Sequence, residues 1–166
     1  MIPKRQRKPV EDVEFRDQLK NYDIAHPQDD LERALCEGII RDIHIAPFAT
    51  TSPISTVEQA VRKMAGMNVG CLLVIENEKL VGIFTQRDLL MKVIENYEAM
   101  KGQLIREVMT ADPVIVRDTD PPAKAINLMG TSGFRHIPVL DVDDKVVGLI
   151  GPRRTTAYLQ KHLPAS

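Results

Sequence analysis

The stretch Lys79-Leu80-Val81-Gly82-Ile83-Phe84-Thr85-Gln86-Arg87-Asp88 recurs, weakened, 66 positions later as Lys145-Val146-Val147-Gly148-Leu149-Ile150-Gly151-Pro152-Arg153-Arg154. Outward from it, Ala60, Val61 and Met64 recur as Ala125, Ile126 and Met129, and Val74 and Glu76 as Val139 and Asp141, at an offset of 65. Self-similarity at a fixed spacing marks a duplicated structural unit. The extra residue falls where Asp141-Val142-Asp143-Asp144 stands against Glu76-Asn77-Glu78, a length change that an exposed turn tolerates. The copies part company at polar positions, since Thr85 and Asp88 face Gly151 and Arg154.

Each copy reads as helix, strand, strand, helix. Ser55 or Thr56 caps a helix through Met67, and Val57, Ala60, Val61 and Met64, three or four apart, form one apolar stripe. Residues 70–75 are a continuous apolar run, suited to a strand covered on both faces. A turn at 76–78 leads into a strand over 80–84, and a helix over about 86–97 is expected to bury Leu89, Leu90, Val93 and Ile94. In the second copy, 114–116 is a short strand and Pro121-Pro122 open a helix through Met129. Strands over 137–140 and 146–150 follow, then a last helix over 153–162. Ahead of both copies, Asp29 and Asp30 suit a helix start and Gly38 its stop, and 39–48 alternates imperfectly toward the turn-rich 49–53. The charged stretch up to Pro27 reads as a mobile arm or a docking helix. The expected organisation is an N-terminal extension over 1–40, a first repeat over 41–100 and a second over 101–166.

With 166 residues, 43% of them apolar, the chain suits one globular domain or two small halves sharing a core. A net charge of -1 gives no general attraction for nucleic acid or an anionic membrane. Lys4, Arg5, Arg7 and Lys8 are too small a patch to argue for nucleic acid, and the start lacks the apolar segment of a secretory signal. No apolar run approaches the ~18 residues of a membrane span. A soluble, cytoplasmic protein is the expectation. Cys36 and Cys71 lack a Cys-x-x-Cys spacing and read as buried small apolar residues. His26, His44, His136 and His162 are scattered, so no metal site is expected. The common nucleophile, zinc, phosphate-loop and dinucleotide signatures are missing, which argues against an enzyme. Asp141 to Asp144 reads as a charged hairpin tip, because the spacing and terminal Glu of a calcium loop are absent.

Three segments together resemble a tandem pair of CBS domains, the regulatory modules named after cystathionine beta-synthase, over roughly 46–163. They are Val81 to Asp88, Val108-Met109-Thr110-Ala111-Asp112-Pro113, and Arg135-His136-Ile137-Pro138-Val139-Leu140-Asp141. The resemblance implies an α/β fold with two repeats of strand-helix-strand-strand-helix in a pseudo-twofold module, here carrying an N-terminal helical extension. It implies two clefts between the repeats that take adenosine ligands such as AMP, ADP, ATP, NAD or S-adenosylmethionine, and pairing of modules into a flat homodimer. Similar CBS pairs occur inside inosine monophosphate dehydrogenases, but this chain has no accompanying barrel of ~250 residues to perform that reaction.

Thr85 and Asp88 stand three apart at a strand end that opens a helix, where a hydroxyl and a carboxylate can meet a vicinal diol. In nucleotide-binding CBS proteins the Gly-x-x-Thr/Ser-x-x-Asp pattern holds the ribose, which implies that role here. Their chemistry alone equally suits a helix cap and its first turn. Arg135 and His136 match the positions from which the family reaches phosphate, and both can donate to it. The alternative is a solvated Arg135 and a packed His136. For the base, the family uses the segment upstream of each repeat, which implies residues 43–48, with Ala46 the closest match, Ile45 as wall and the strand end near Ile150 as support. Ile45 and Phe48 also suit the core.

The second cleft departs from the pattern, because Gly151 has no hydroxyl and Arg154 replaces the carboxylate with a cation. One nucleotide per module is therefore expected, with the other cleft empty, drifted, or holding an anion on Arg153 and Arg154. Two functions remain open: a nucleotide-responsive regulatory module signalling to a protein target, or a constitutive dimerisation and docking scaffold with vestigial clefts. Intact Thr85 and Asp88 favour the first, the degraded second copy the other.

Overall fold

The computed structural model describes residues 27 and 29–163. The arm or docking helix expected before Pro27 lies outside them. The first described helix, α1 (Asp30–Cys36), is capped by the Asp29 side chain, which accepts from the Glu32 amide at 2.7 Å. A single 3-10 turn at Ile40–Asp42 follows.

The first repeat contains β1 (Thr50–Thr51), α2 (Val57–Met67), β2 (Cys71–Glu76) and β3 (Lys79–Thr85). Thr56 caps α2 as expected: its hydroxyl accepts from the Gln59 amide, while the Gln59 side chain accepts from the Thr56 amide. After β3 the expected single helix is broken. A short α3 (Gln86–Asp88) widens into a π-helical turn at Leu89–Val93, passes through a 3-10 turn at Ile94–Asn96 and resumes as α4 (Tyr97–Met100). The widening changes which side chains turn inward. Val93 is fully buried and Leu89 partly so, but Leu90 and Ile94, expected inside, are 61% and 51% exposed, as is Met91 at 75%.

The second repeat runs α5 (Ile105–Val108), β4 (Thr110–Ala111), β5 (Val116–Arg117), α6 (Pro122–Ser132), β6 (Ile137–Leu140), β7 (Val146–Ile150) and α7 (Pro152–His162). Pro122 and Pro152 sit in the first turns of their helices, where a missing N–H costs nothing. Val114, expected in a strand, is exposed and precedes β5. Of the two cysteines, Cys71 is buried but Cys36 is exposed, since α1 buries none of its residues fully.

The two sheets, ordered β1-β2-β3-β4 and β5-β6-β7, do not follow the repeat boundary. β4 pairs antiparallel with β3 of the first repeat, Gly82 opposite Ala111 and Ile83 opposite Thr110. Reciprocally, the Leu149 amide of β7 donates to the Ile45 carbonyl at 3.0 Å, so the lead-in to the first repeat joins the second. Each exchange needs a glycine. A Cβ at Gly82 would lie 2.4 Å from the Met109 sulfur, and one at Gly148 would lie 2.5 Å from Ile45 Cβ. The duplicated Val-Gly dipeptide is thus where the other repeat's lead-in crosses.

The cores repeat the exchange. Ile105 and Val108 pack with Val57, Leu72, Phe84 and Val93, while Ile40, Ile43 and Ile45 pack with Val116, Ile137, Val139 and Ile150. A boundary between 40 and 41 therefore cuts a turn whose Ile40 belongs to the core of the second half. Backbone bonds from Ile40 to Asp120 and from Arg41 to Asp118, with the Arg41 guanidinium on the buried Asp118 carboxylate, fasten that turn in place. Cys71, Leu73 and Ile83, with Phe48, Val146 and Leu149, form a seam joining the two sheets. No helix among the described residues is long and apolar enough to cross a membrane.

Candidate functional site

β3 ends at Thr85, which caps α3: its hydroxyl accepts from the Asp88 amide at 3.2 Å. Asp88 returns the bond, and its Oδ2 accepts from the Thr85 amide at 2.9 Å and the Thr85 hydroxyl at 2.6 Å. Oδ1 faces the other repeat, accepting from the Thr110 hydroxyl of β4 at 2.9 Å and from Lys92 Nζ at 2.7 Å. The same ammonium donates to the carbonyls of Val108 at 2.8 Å and Met109 at 3.4 Å. Asp88 is only 6% exposed. Burial alone would push its carboxyl up, but the hydrogen bonds from Lys92, Thr85 and Thr110 outweigh that and hold it below the ordinary carboxylate range. The result is an ionised acceptor on the junction between the repeats.

Of the residues expected to bind, Thr85 and Asp88 are thus in direct contact. His136 packs on the same junction: a Cβ at Gly70 would lie 3.2 Å from its ring and 3.4 Å from the Gln86 side chain. The Gln86 amide donates to the Gly70 carbonyl, which ties His136 to the strand end next to Thr85. Burial, then the adjacent Arg135, lowers the His136 pKa below 6.5, so the ring is neutral near pH 7. Arg135 itself is exposed.

The expected base wall lies elsewhere. The Ile45 carbonyl receives the Leu149 amide and the Arg154 guanidinium, its side chain fills the space over Gly148, and Ile150 is fully buried. Ala46 is exposed, ahead of a cis bond to Pro47. These residues belong to the Arg154 side of the module, and the segment beside Asp88 is instead Val108 to Thr110. The reason is the exchange of lead-ins, each of which serves the repeat it does not begin. Neither Lys92 nor Thr110 is expected in the site from the sequence, although Thr110 lies in the motif over 108–113 and Lys92 stands one helical turn beyond Asp88.

A separate cavity of about 870 Å³ lies between α1 and α7, lined among others by Asp29, Arg33, Glu37, Tyr158 and Lys161. It is remote in sequence from Asp88 and of mixed charge. Among the described residues no group of three His, Cys, Asp or Glu is placed to hold a metal ion.

The sequence pattern of the CBS domain matches residues 40–95 and 105–159. An inosine-5'-monophosphate dehydrogenase of Methanocaldococcus jannaschii is 33% identical over 115 residues, 69% of this chain but 21% of that enzyme, so the chain spans about a fifth of its length. Among solved structures, a putative signal-transduction protein with CBS domains from Burkholderia ambifaria is 28% identical, with a TM-score of 0.65 over 72% of this chain and 88% of that one. CBSX2 in complex with AMP is 25% identical, with a TM-score of 0.65 over 74% of this chain and 96% of that one. Two matched repeats, the exchanged lead-ins and the shared fold agree, and the chain belongs to the CBS-domain family as a tandem pair.

Proposed function

We propose that this chain is a regulatory module, not an enzyme, that binds an adenosine nucleotide between its repeats and passes the change of shape to a protein partner. The observation that carries the proposal is the Asp88 carboxylate, ionised, nearly buried, and shared between Thr85 of one repeat and Thr110 of the other. A ribose diol offers two donors to one carboxylate. A diol that takes Oδ1 displaces Thr110 or Lys92, both of which hold the lead-in of the second repeat. Binding thereby has a direct mechanical consequence, since a ligand shifts an equilibrium only through contacts that differ between the states. His136 and Arg135 would face the phosphates, with AMP, ADP or ATP as ligand, and NAD or S-adenosylmethionine as further candidates. AMP bound to CBSX2 supports this class. The exposed Leu90, Met91 and Ile94 suit burial against a second copy.

One observation favours a scaffold instead. Asp88 already accepts four hydrogen bonds from within the chain, which is what a structural staple needs. Calorimetric titration of the protein and of Asp88→Ala with AMP, ADP, ATP, NAD and S-adenosylmethionine separates the two. Saturable binding of one compound that is lost in the variant supports the regulator, and absence of binding by all five supports the scaffold.

A further inference from the structure

The cleft opposite Asp88 is filled by the chain itself. Arg154, which stands in the second repeat where Asp88 stands in the first, sends its guanidinium across to the lead-in of the first repeat. Nη1 donates to the carbonyls of Ile45 and, at 2.7 Å, Leu149, and Nη2 donates to the carbonyl of Pro47. The partners are backbone oxygens rather than a carboxylate. Burial lowers the Arg154 pKa somewhat, and the buried Cys71 beside it, whose thiol burial pushes up to about 12, supplies no counter-charge at neutral pH.

The first repeat is held differently. There Lys92 binds the lead-in carbonyls of Val108 and Met109, and Asp88 places a carboxylate where Arg154 places a cation. In the second half no carboxylate stands at the position that matches Asp88. Gly151 brings no hydroxyl, and the fork of Arg154 covers the lead-in carbonyls that a ligand's donor edge would otherwise meet.

We infer that Arg154 is a built-in surrogate ligand: it seals the second cleft, sets the capacity of the module at one nucleotide, and locks that half of the junction in a single state. The planar fork suits the task, because its fixed N–H directions reach three separate carbonyls from one rigid group. Only the Asp88 half is then free to respond. The capacity rests on the nucleotide reading above, whereas the lock does not.

Two readouts keep these apart. Amide hydrogen exchange of the ligand-free protein follows Leu149, whose N–H bonds to the Ile45 carbonyl. In Arg154→Ala, and in Arg154→Lys should the alanine variant not fold, this amide is expected to exchange about tenfold faster or more. Unchanged exchange overturns the lock. Calorimetry with AMP then compares the wild type with Gly151→Thr/Arg154→Asp, which rebuilds the pair of the first repeat. A rise from one ligand per chain to two is expected, and a wild type that already binds two overturns the seal. If no variant binds any adenosine compound while the exchange result holds, the nucleotide reading fails and the lock stands.

Discussion

A carboxylate that is 6% exposed and accepts four hydrogen bonds cannot be removed without orphaning its donors. Asp88→Ala leaves the Thr110 hydroxyl without its acceptor and Lys92 without its carboxylate partner, and is expected to cost about 1–3 kcal/mol in urea unfolding, besides abolishing nucleotide binding. The pH dependence follows from the lowered pKa. A carboxyl that titrates below 3.8 in the folded protein contributes fully above that value and loses its contribution as pH falls through the lower one. The stability gap between the wild type and Asp88→Asn should therefore shrink between pH 7 and pH 3, as unfolding curves at both would show. His136 shifts in the same sense but for another reason, since burial disfavours its charged form. Its folded pKa lies below 6.5, so the unfolded chain takes up protons first, and stability falls as pH drops below that value. His136→Gln should flatten the slope of stability between pH 7 and 5. Thr85 and Asp88 were legible in the sequence because a polar pair interrupts a duplicated apolar stretch. The clamp of Arg154 was not, because its partners are main-chain oxygens, two of the three more than a hundred residues away, which no side-chain pattern records.

At the scale of elements, the capped α2, the paired β2 and β3, and the proline-opened α6 all followed from local chemistry. The segment after Asp88 did not. Apolar residues three and four apart describe an α-helix and a π-helical turn almost equally well, so the pattern could not show that Leu90 and Ile94 face outward. The glycines of the crossing points give a sharper test. At Gly148 an added methyl would strike Ile45 at Cβ, Cγ1 and Cδ1, all within 2.7 Å, on a stiff β-branched side chain inside a packed core. At Gly82 the nearest atom is the flexible Met109 sulfur. Gly148→Ala should destabilise by about 1–3 kcal/mol and Gly82→Ala by less, measured as shifts in the urea midpoint.

For the molecule as a whole, the duplication revealed two repeats but not that each completes the other. Ile105 and Val108 finish the first core, and Ile40, Ile43 and Ile45 the second. Such an exchange is invisible to periodicity because it is set by which sheet each lead-in joins. A fragment of residues 101–166 lacks the three isoleucines and should show no cooperative thermal transition by circular dichroism, whereas 30–163 should retain one. The same exchange underlies the proposed mechanism, in which a ligand on Asp88 would pull on the strand that leads into the other repeat. The most direct test follows backbone amide resonances while AMP is titrated into the isotope-labelled protein. Saturable shifts at Thr85, Asp88 and Thr110, with Leu149 left in place, are the predicted result. Shifts confined to Ile45 and Leu149, or none anywhere while the protein remains folded, would contradict it.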